Sequence, residues 1–275
     1  MSPFLGSAKL TEDWHNFRFS VDGGIATVTL DRPHRLNALT FEVYADLRDL
    51  LAELPRRGDA RVLVLRGEGR AFSSGGDVGE IIERTLRMRH DARLGFTRMS
   101  GDVVRAMREC PVPIIVALQG MAAGAGAVIA LAADFRVATP AAQFAFLFTK
   151  VGLSGGDMGA AYLLPRLVGL GRATQLLMLG DTIGAAEAER IGLVSELVGA
   201  DELDAAVGRL ARRFADGPAQ AYALTKALLT REQDMSLAAA AELEATAQAL
   251  LMSGEDYKEF HAAFTAGREP RWQGR

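Results

Sequence analysis

The chain has one cysteine, Cys110, in 275 residues. A single thiol excludes an internal disulfide and a cysteine-rich metal site, and it fits a reducing compartment such as the cytoplasm. Histidine is nearly as scarce: His15, His34, His90 and His261 are scattered, with no HxxH or HExxH pair. A metal centre is not expected from that set. Basic charge is not in excess, with 31 Lys and Arg against 34 Asp and Glu and a formal net charge of −3. Nucleic-acid binders normally carry a basic surplus, so that class is set aside. The opening MSPFLGSAKLTEDWH lacks the basic and apolar regions of a secretory signal. One run has the length of a membrane span, residues 113–133, PIIVALQGMAAGAGAVIALAA. Gln119 and three glycines interrupt it, and β-branched residues crowd its first half. It reads as a buried strand over 114–118, a glycine turn and a buried helix, not as a membrane segment.

Hydrophobic residues make up 49% of the chain and charged residues 24%. Those are ordinary globular proportions, and they exclude disordered and low-complexity classes. A chain of this length buries about 75% of the surface its unfolded state exposes, enough for a large core. Strand-like runs at 17–21 and 25–30 flank Asp22-Gly23-Gly24, a hairpin signal. Helical spacing follows over 41–54, with Thr40 as its expected N-cap. A strand at 62–65 leads to a glycine-rich loop and a helix from about Val78. Residues 84–95 are strongly charged and read as a solvated helical excursion, with His90 exposed. Then come a helix at 96–109, the strand–turn–helix of 114–133, and strands at 135–138 and 143–146. Helices are expected at 158–168, 171–179 and 185–190, and a strand-like run at 193–198. After residue 200 the pattern is helical throughout: 201–216, 218–230, 236–252 and 255–266. The class is α/β, with repeated strand-strand-helix units followed by a helical layer.

Two glycine-rich turns each join a strand to a helix, RAFSSGGD (70–77) and QGMAAGAGA (119–127). Small residues let a ligand approach the main chain, and free N–H groups at a helix start carry partial positive charge. Two such turns side by side would hold one developing oxyanion between two backbone donors. Either turn alone is equally well a tight bend with no further role. Neither contains GxGxxG, and no GxxxxGK[ST] occurs.

Six segments in order resemble the crotonase (enoyl-CoA hydratase/isomerase) superfamily. They are DRPHRLNAL (31–39), GRAFSSGGDV (69–78), ALQGMAAGAGAVIALAADFRVAT (117–139), AQFAF (142–146), GLSGGDMGAAYLLPRLVGLGRA (152–173) and EDYKEFHAAFTAGREPRWQGR (255–275). The resemblance runs from about residue 16 to the end. It implies a ββα spiral core with the acyl-CoA site over 1–200 and a C-terminal helical trimerisation region over 201–275. It also implies an acyl-CoA thioester as substrate, coenzyme A entering as part of that substrate with no separate cofactor, and a homotrimer or dimer of trimers.

Carried over position by position, Gly76 and Ala125 fall on the two oxyanion donors. Ala125 stands where many relatives have glycine, and its N–H survives that exchange. Arg35, Leu36 and Ala38 match the segment lining the nucleotide and pantetheine tunnel, although a loop entering a capped helix explains them equally well. Ser74, Gly75, Asp77, Val78 and Gly124 flank the donors. Phe264 resembles the aromatic that approaches a neighbouring subunit's adenine, with plain packing as the alternative. The two glutamates of the family's hydratases are absent: their positions fall on Val128 and Phe148, and no glutamate occurs from 135 to 186. The remaining acid is Asp157, placed like the catalytic aspartate of dienoyl-CoA isomerases and aromatic dehalogenases. Its alternative role is an N-cap for the helix after it, whose dipole would lower its pKa. Asp77 reads as a helix-start residue. Glu80 and Glu83 read as a solvated face, as do Arg84, Arg87, Arg89 and Arg93. Ser74 and Ser154 have no adjacent histidine to activate them. Tyr162 is expected to face the core.

Overall fold

The computed structural model describes residues 9–274. The first eight residues, on which the expectation about a secretory signal partly rests, and Arg275 fall outside the described residues.

The chain opens with a hairpin, β1 (Arg18–Asp22) and β2 (Ile25–Leu30), turned at Gly23 and Gly24 as expected. Helix α1 (Phe41–Arg57) follows, and the Thr40 hydroxyl accepts the Val43 N–H at its start. Next come β3 (Val62–Gly67), a helical turn Val78–Ile82, α2 (Glu83–Arg87) and α3 (His90–Glu109). The long helix thus begins at His90 rather than 96, because the polar residues before Phe96 extend its first turns into solvent. Residues 114–133 form β4 (Ile114–Leu118), β5 (Met121–Ala123) and α4 (Ala125–Ala132), so the apolar run is the strand, turn and helix its sequence indicates. Among the described residues, no helix is long and apolar enough to cross a membrane. Then follow β6 (Phe135–Ala138), β7 (Gln143–Ala145), α5 (Ala160–Val168), α6 (Leu170–Leu179), β8 (Ile183–Gly184), α7 (Ala185–Arg190) and β9 (Glu196–Leu197). Four helices close the chain: α8 (Leu203–Ala215), α9 (Ala219–Arg231), α10 (Leu237–Met252) and α11 (Glu255–Ala266).

The main sheet runs β1-β2-β3-β4-β6-β9 and is parallel beyond the opening hairpin. Parallel strands covered on both faces read as near-continuous apolar runs, as Val62–Leu65 of β3 and all of β4 do. Successive side chains point to opposite faces. Leu63, Leu65, Ile114, Val116 and Leu118 accordingly join the large core with α1, α3 and α4. Val62, Val64, Ile115 and Ala117 join a second core beneath Leu203, Ala206, Val207 and Ala211 of α8. The architecture is the α/β, ββα spiral with a helical C-terminal region that the sequence motifs imply. A smaller sheet, β5-β7-β8, crosses at the edge and fixes the second glycine turn.

A buried ion network ties the helical region to this core. Asp134 accepts from Arg108 on α3 (3.1 Å), from Lys226 on α9 (2.7 Å) and from the Ile114 N–H that opens β4 (2.8 Å). Tyr162, expected in the core, instead stands at the surface of α5. Its phenol bonds Asp234 and Arg166 stacks over its ring, so its polar end finds partners only outside.

Candidate active site

Three loops meet at the candidate site, joined main chain to main chain. The loop 32–39 is organised by Asn37, which is almost fully buried. Its side-chain amide donates to the carbonyls of Glu68 and Ala71, and its side-chain oxygen accepts the Arg32 N–H. Leu36 and Asn37 both take left-handed backbone angles. The Leu39 N–H bonds the Gly75 carbonyl at 2.8 Å, and the Leu39 carbonyl accepts the Asp77 N–H at 2.9 Å. The Leu36 carbonyl accepts the Ser74 N–H, and the Ser74 hydroxyl donates to the Arg35 carbonyl. Ala38 is buried, and its carbonyl accepts from the Arg32 guanidinium. Leu36, Ala38, Ser74, Gly75 and Asp77 are therefore neighbours.

The second turn is paired to the first. Ser73 and Ala122 form a parallel bridge, with the Ala123 N–H on the Ser73 carbonyl at 2.9 Å. Gly75 has φ +91°, and a β-carbon there would lie 2.7 Å from the Ala123 carbonyl oxygen and 3.3 Å from the Ala125 nitrogen. Only glycine permits that approach. Gly124 meets Gly75 from the opposite side. No main-chain or side-chain acceptor among the described residues takes the N–H of Gly76 or of Ala125. Both amides stand at the start of helical segments, where such donors are normally orphaned.

Asp77 caps the turn at Val78 by accepting the Glu80 N–H, and it pairs with Arg32 at 3.1 Å. It is a helix-start residue, as expected. Val78 is exposed. Glu80 and Glu83 pair with Arg84 and Arg87, Arg89 with Asp91, and Arg93 reaches the carbonyls of Thr85 and Leu86, a solvated face of local pairs. Val128 and Phe148 are buried, Val128 completely. Phe264 is 76% exposed on α11 and stacks with Phe260, so within one chain it does not join the three loops.

Asp157 departs from its expected surroundings in two ways. It does not cap α5: Gly159 occupies the cap position with φ +88°, and Asp157 accepts instead from the adjoining Met158 N–H at 2.9 Å. Its pKa is raised, not lowered, because burial outweighs that one hydrogen bond, and no cation among the described residues pairs with it. The loop carrying it rests on α6, where a β-carbon on Gly155 would come within 2.2 Å of the Leu177 carbonyl oxygen. Tyr44, buried on α1 and not singled out in the sequence analysis, feels the charge of Asp157. The Tyr44 hydroxyl lies 3.7 Å from the position a β-carbon on Gly76 would take. Burial, then the charge of Asp157, pushes the Tyr44 pKa up. A separate cavity of about 590 Å3, lined by Arg108, Asp134, Arg136, Phe214 and Lys226, contains none of these residues.

Comparison with known proteins decides the family. The enoyl-CoA hydratase/isomerase family profile matches residues 20–275. The chain belongs to the enoyl-CoA hydratase/isomerase family. Within this family it is 38% identical over 263 residues to a probable enoyl-CoA hydratase of Rhodobacter capsulatus, covering 95% of this chain and 99% of the relative. It is 34% identical over 255 residues to the 1,2-epoxyphenylacetyl-CoA isomerase of Escherichia coli, covering 93% and 97%. The crystal structure of a presumptive enoyl-CoA hydratase from Streptomyces coelicolor A3(2) shares 69% identity over the full length of both chains, with a TM-score of 0.98.

Proposed function

We propose that this family member transforms an acyl-CoA thioester by stabilising its enolate between the N–H groups of Gly76 and Ala125, with Asp157 as acid and base. The observation that carries the reading is the pair of unpartnered amides on two turns in contact at Gly75. The Asp157 carboxylate removes a proton from a carbon made acidic by the thioester. The electron pair moves onto the carbonyl oxygen, which accepts from both amides. The same proton returns to another carbon of the conjugated system, so one carboxylate is sufficient. A preorganised donor of this kind contributes about 3–4 kcal/mol.

Isomerisation fits better than two-glutamate hydration, because Val128 and Phe148 occupy the glutamate positions and neither side chain can move a proton. The isomerase name of the E. coli relative agrees with that preference. On this reading Arg35, Leu36, Ala38, Ser74, Gly124 and Val78 line the path of the coenzyme A ester, Val128 and Phe148 back its acyl pocket, and Phe264 serves a neighbouring subunit of a cytoplasmic homotrimer or dimer of trimers. The deciding experiment follows the absorbance of a conjugated enoyl-CoA with wild type and with Asp157→Asn. Loss of turnover with thioester binding retained is expected. Equal slow rates in the two proteins would leave an acyl-CoA-binding protein without catalysis.

A further inference from the structure

Tyr44 is 3% exposed, and its hydroxyl, which bonds no described residue, is not among the fully buried unpartnered polar atoms, so the little surface it keeps is open. A hydroxyl held in a packed side chain with one open side takes its hydrogen-bond partner from that side, water or a bound ligand. The ring cannot turn away to find one. It packs edge-on against Phe96 at 5.8 Å, and Phe96 is itself held edge-on by Phe41 at 4.6 Å. Its hydroxyl lies 3.7 Å from the position a β-carbon on Gly76 would take and near enough to Asp157 to feel its charge, and the other side chain equally near that position is the apolar Ile81. With its pKa pushed up by burial and by Asp157, the phenol stays protonated and keeps an O–H to donate.

We infer that Tyr44 determines substrate specificity: its hydroxyl donates a hydrogen bond to an oxygen carried by the acyl chain near its α and β carbons. The preferred thioesters are then oxygenated ones, with a hydroxyl, oxo or epoxide oxygen close to the carbonyl, rather than plain hydrocarbon chains. A site built to pair with a substrate oxygen rejects the analogue lacking it, because the buried donor is then left unsatisfied. This inference rests on the acyl-CoA reading above.

Calorimetric titration of wild type and Tyr44→Phe with 3-hydroxybutyryl-CoA and with butyryl-CoA tests it. The substitution keeps the ring and its packing on Phe96. Wild type is expected to bind the hydroxy ester about tenfold more tightly, the scale of one well-placed hydrogen bond. In Tyr44→Phe that ratio falls towards one. A ratio near one in wild type, or a ratio unchanged by the substitution, overturns the role of Tyr44 while leaving the acyl-CoA reading intact. If neither ester binds wild type, the acyl-CoA reading itself fails.

Discussion

Leu39 grips Gly76 from both sides: its N–H holds the carbonyl of Gly75 and its carbonyl holds the N–H of Asp77, leaving the amide between them unbonded. A main-chain clamp of this kind fixes the direction of the free N–H without spending it. The second amide, at Ala125, is held by the contact of its turn with Gly75. The geometry of the proposed oxyanion site therefore depends on one residue more than on any other.

Gly75→Ala tests that dependence. An added β-carbon would collide with the Ala123 carbonyl, and φ +91° is strained for any other residue. A stability cost of about 1–3 kcal/mol is expected. The loss of kcat/KM should be at least about 100-fold, the scale for removing one donor. Activity that falls only in step with the folded fraction, measured by circular dichroism, would contradict the arrangement.

Asp157→Asn separates function from stability. Burial raises the Asp157 pKa above its unfolded value. The native state therefore binds the extra proton more tightly, and the stability this provides is complete below the unfolded pKa. It is lost as pH rises through the folded pKa. The wild type should lose stability across that window and Asp157→Asn should not, so at neutral pH the inactive variant melts higher. In kcat/KM the same group should give a limb that rises with pH, with its inflection above the ordinary carboxylate range. The limb disappears in Asp157→Asn, along with roughly 100-fold to 10,000-fold of activity.

Asp134 neutralises two cations, and Lys226 is almost wholly buried. Asp134→Ala should destabilise by about 3–5 kcal/mol, because a charge is stranded away from water. Guanidinium unfolding measures it. Adding Lys226→Met should recover part of the loss, and failure to do so would assign the cost to the Ile114 N–H that Asp134 also serves.

The proposed assembly predicts a solution mass three or six times the 29.4 kDa of one chain. Leu237, Leu250 and Phe264 are apolar and exposed on the C-terminal helices. The proposed assembly would cover these side chains. Light scattering that returns a 29.4 kDa particle at micromolar concentration would refute a trimer.

Much of this fold was legible because its signals are local. The bounds of β4 and β6 follow from short apolar runs, and the start of α1 from Thr40. What stayed hidden depends on packing between distant segments. Strand β5 has three residues and exists because Gln143–Ala145 pairs with it on one side and the Ser73 turn bridges it on the other. The cap that was the alternative role of Asp157 falls to Gly159, because Met158 turns left-handed and carries the chain past it. Tyr44 lay within an inward helical stripe, where spacing reports that a residue is buried and is silent about where its hydroxyl ends. Asn37 likewise shows its organising role only once the loops around it are folded.

The two unbonded amides also bear on how this enzyme family is dissected experimentally. At residue 125 the chain already carries alanine, and at residue 76 no side chain exists to delete. Side-chain deletion at these two positions would therefore leave both proposed donors in place. Replacement of a peptide link by an ester, which removes the N–H and keeps everything else, is the perturbation that such a centre would feel.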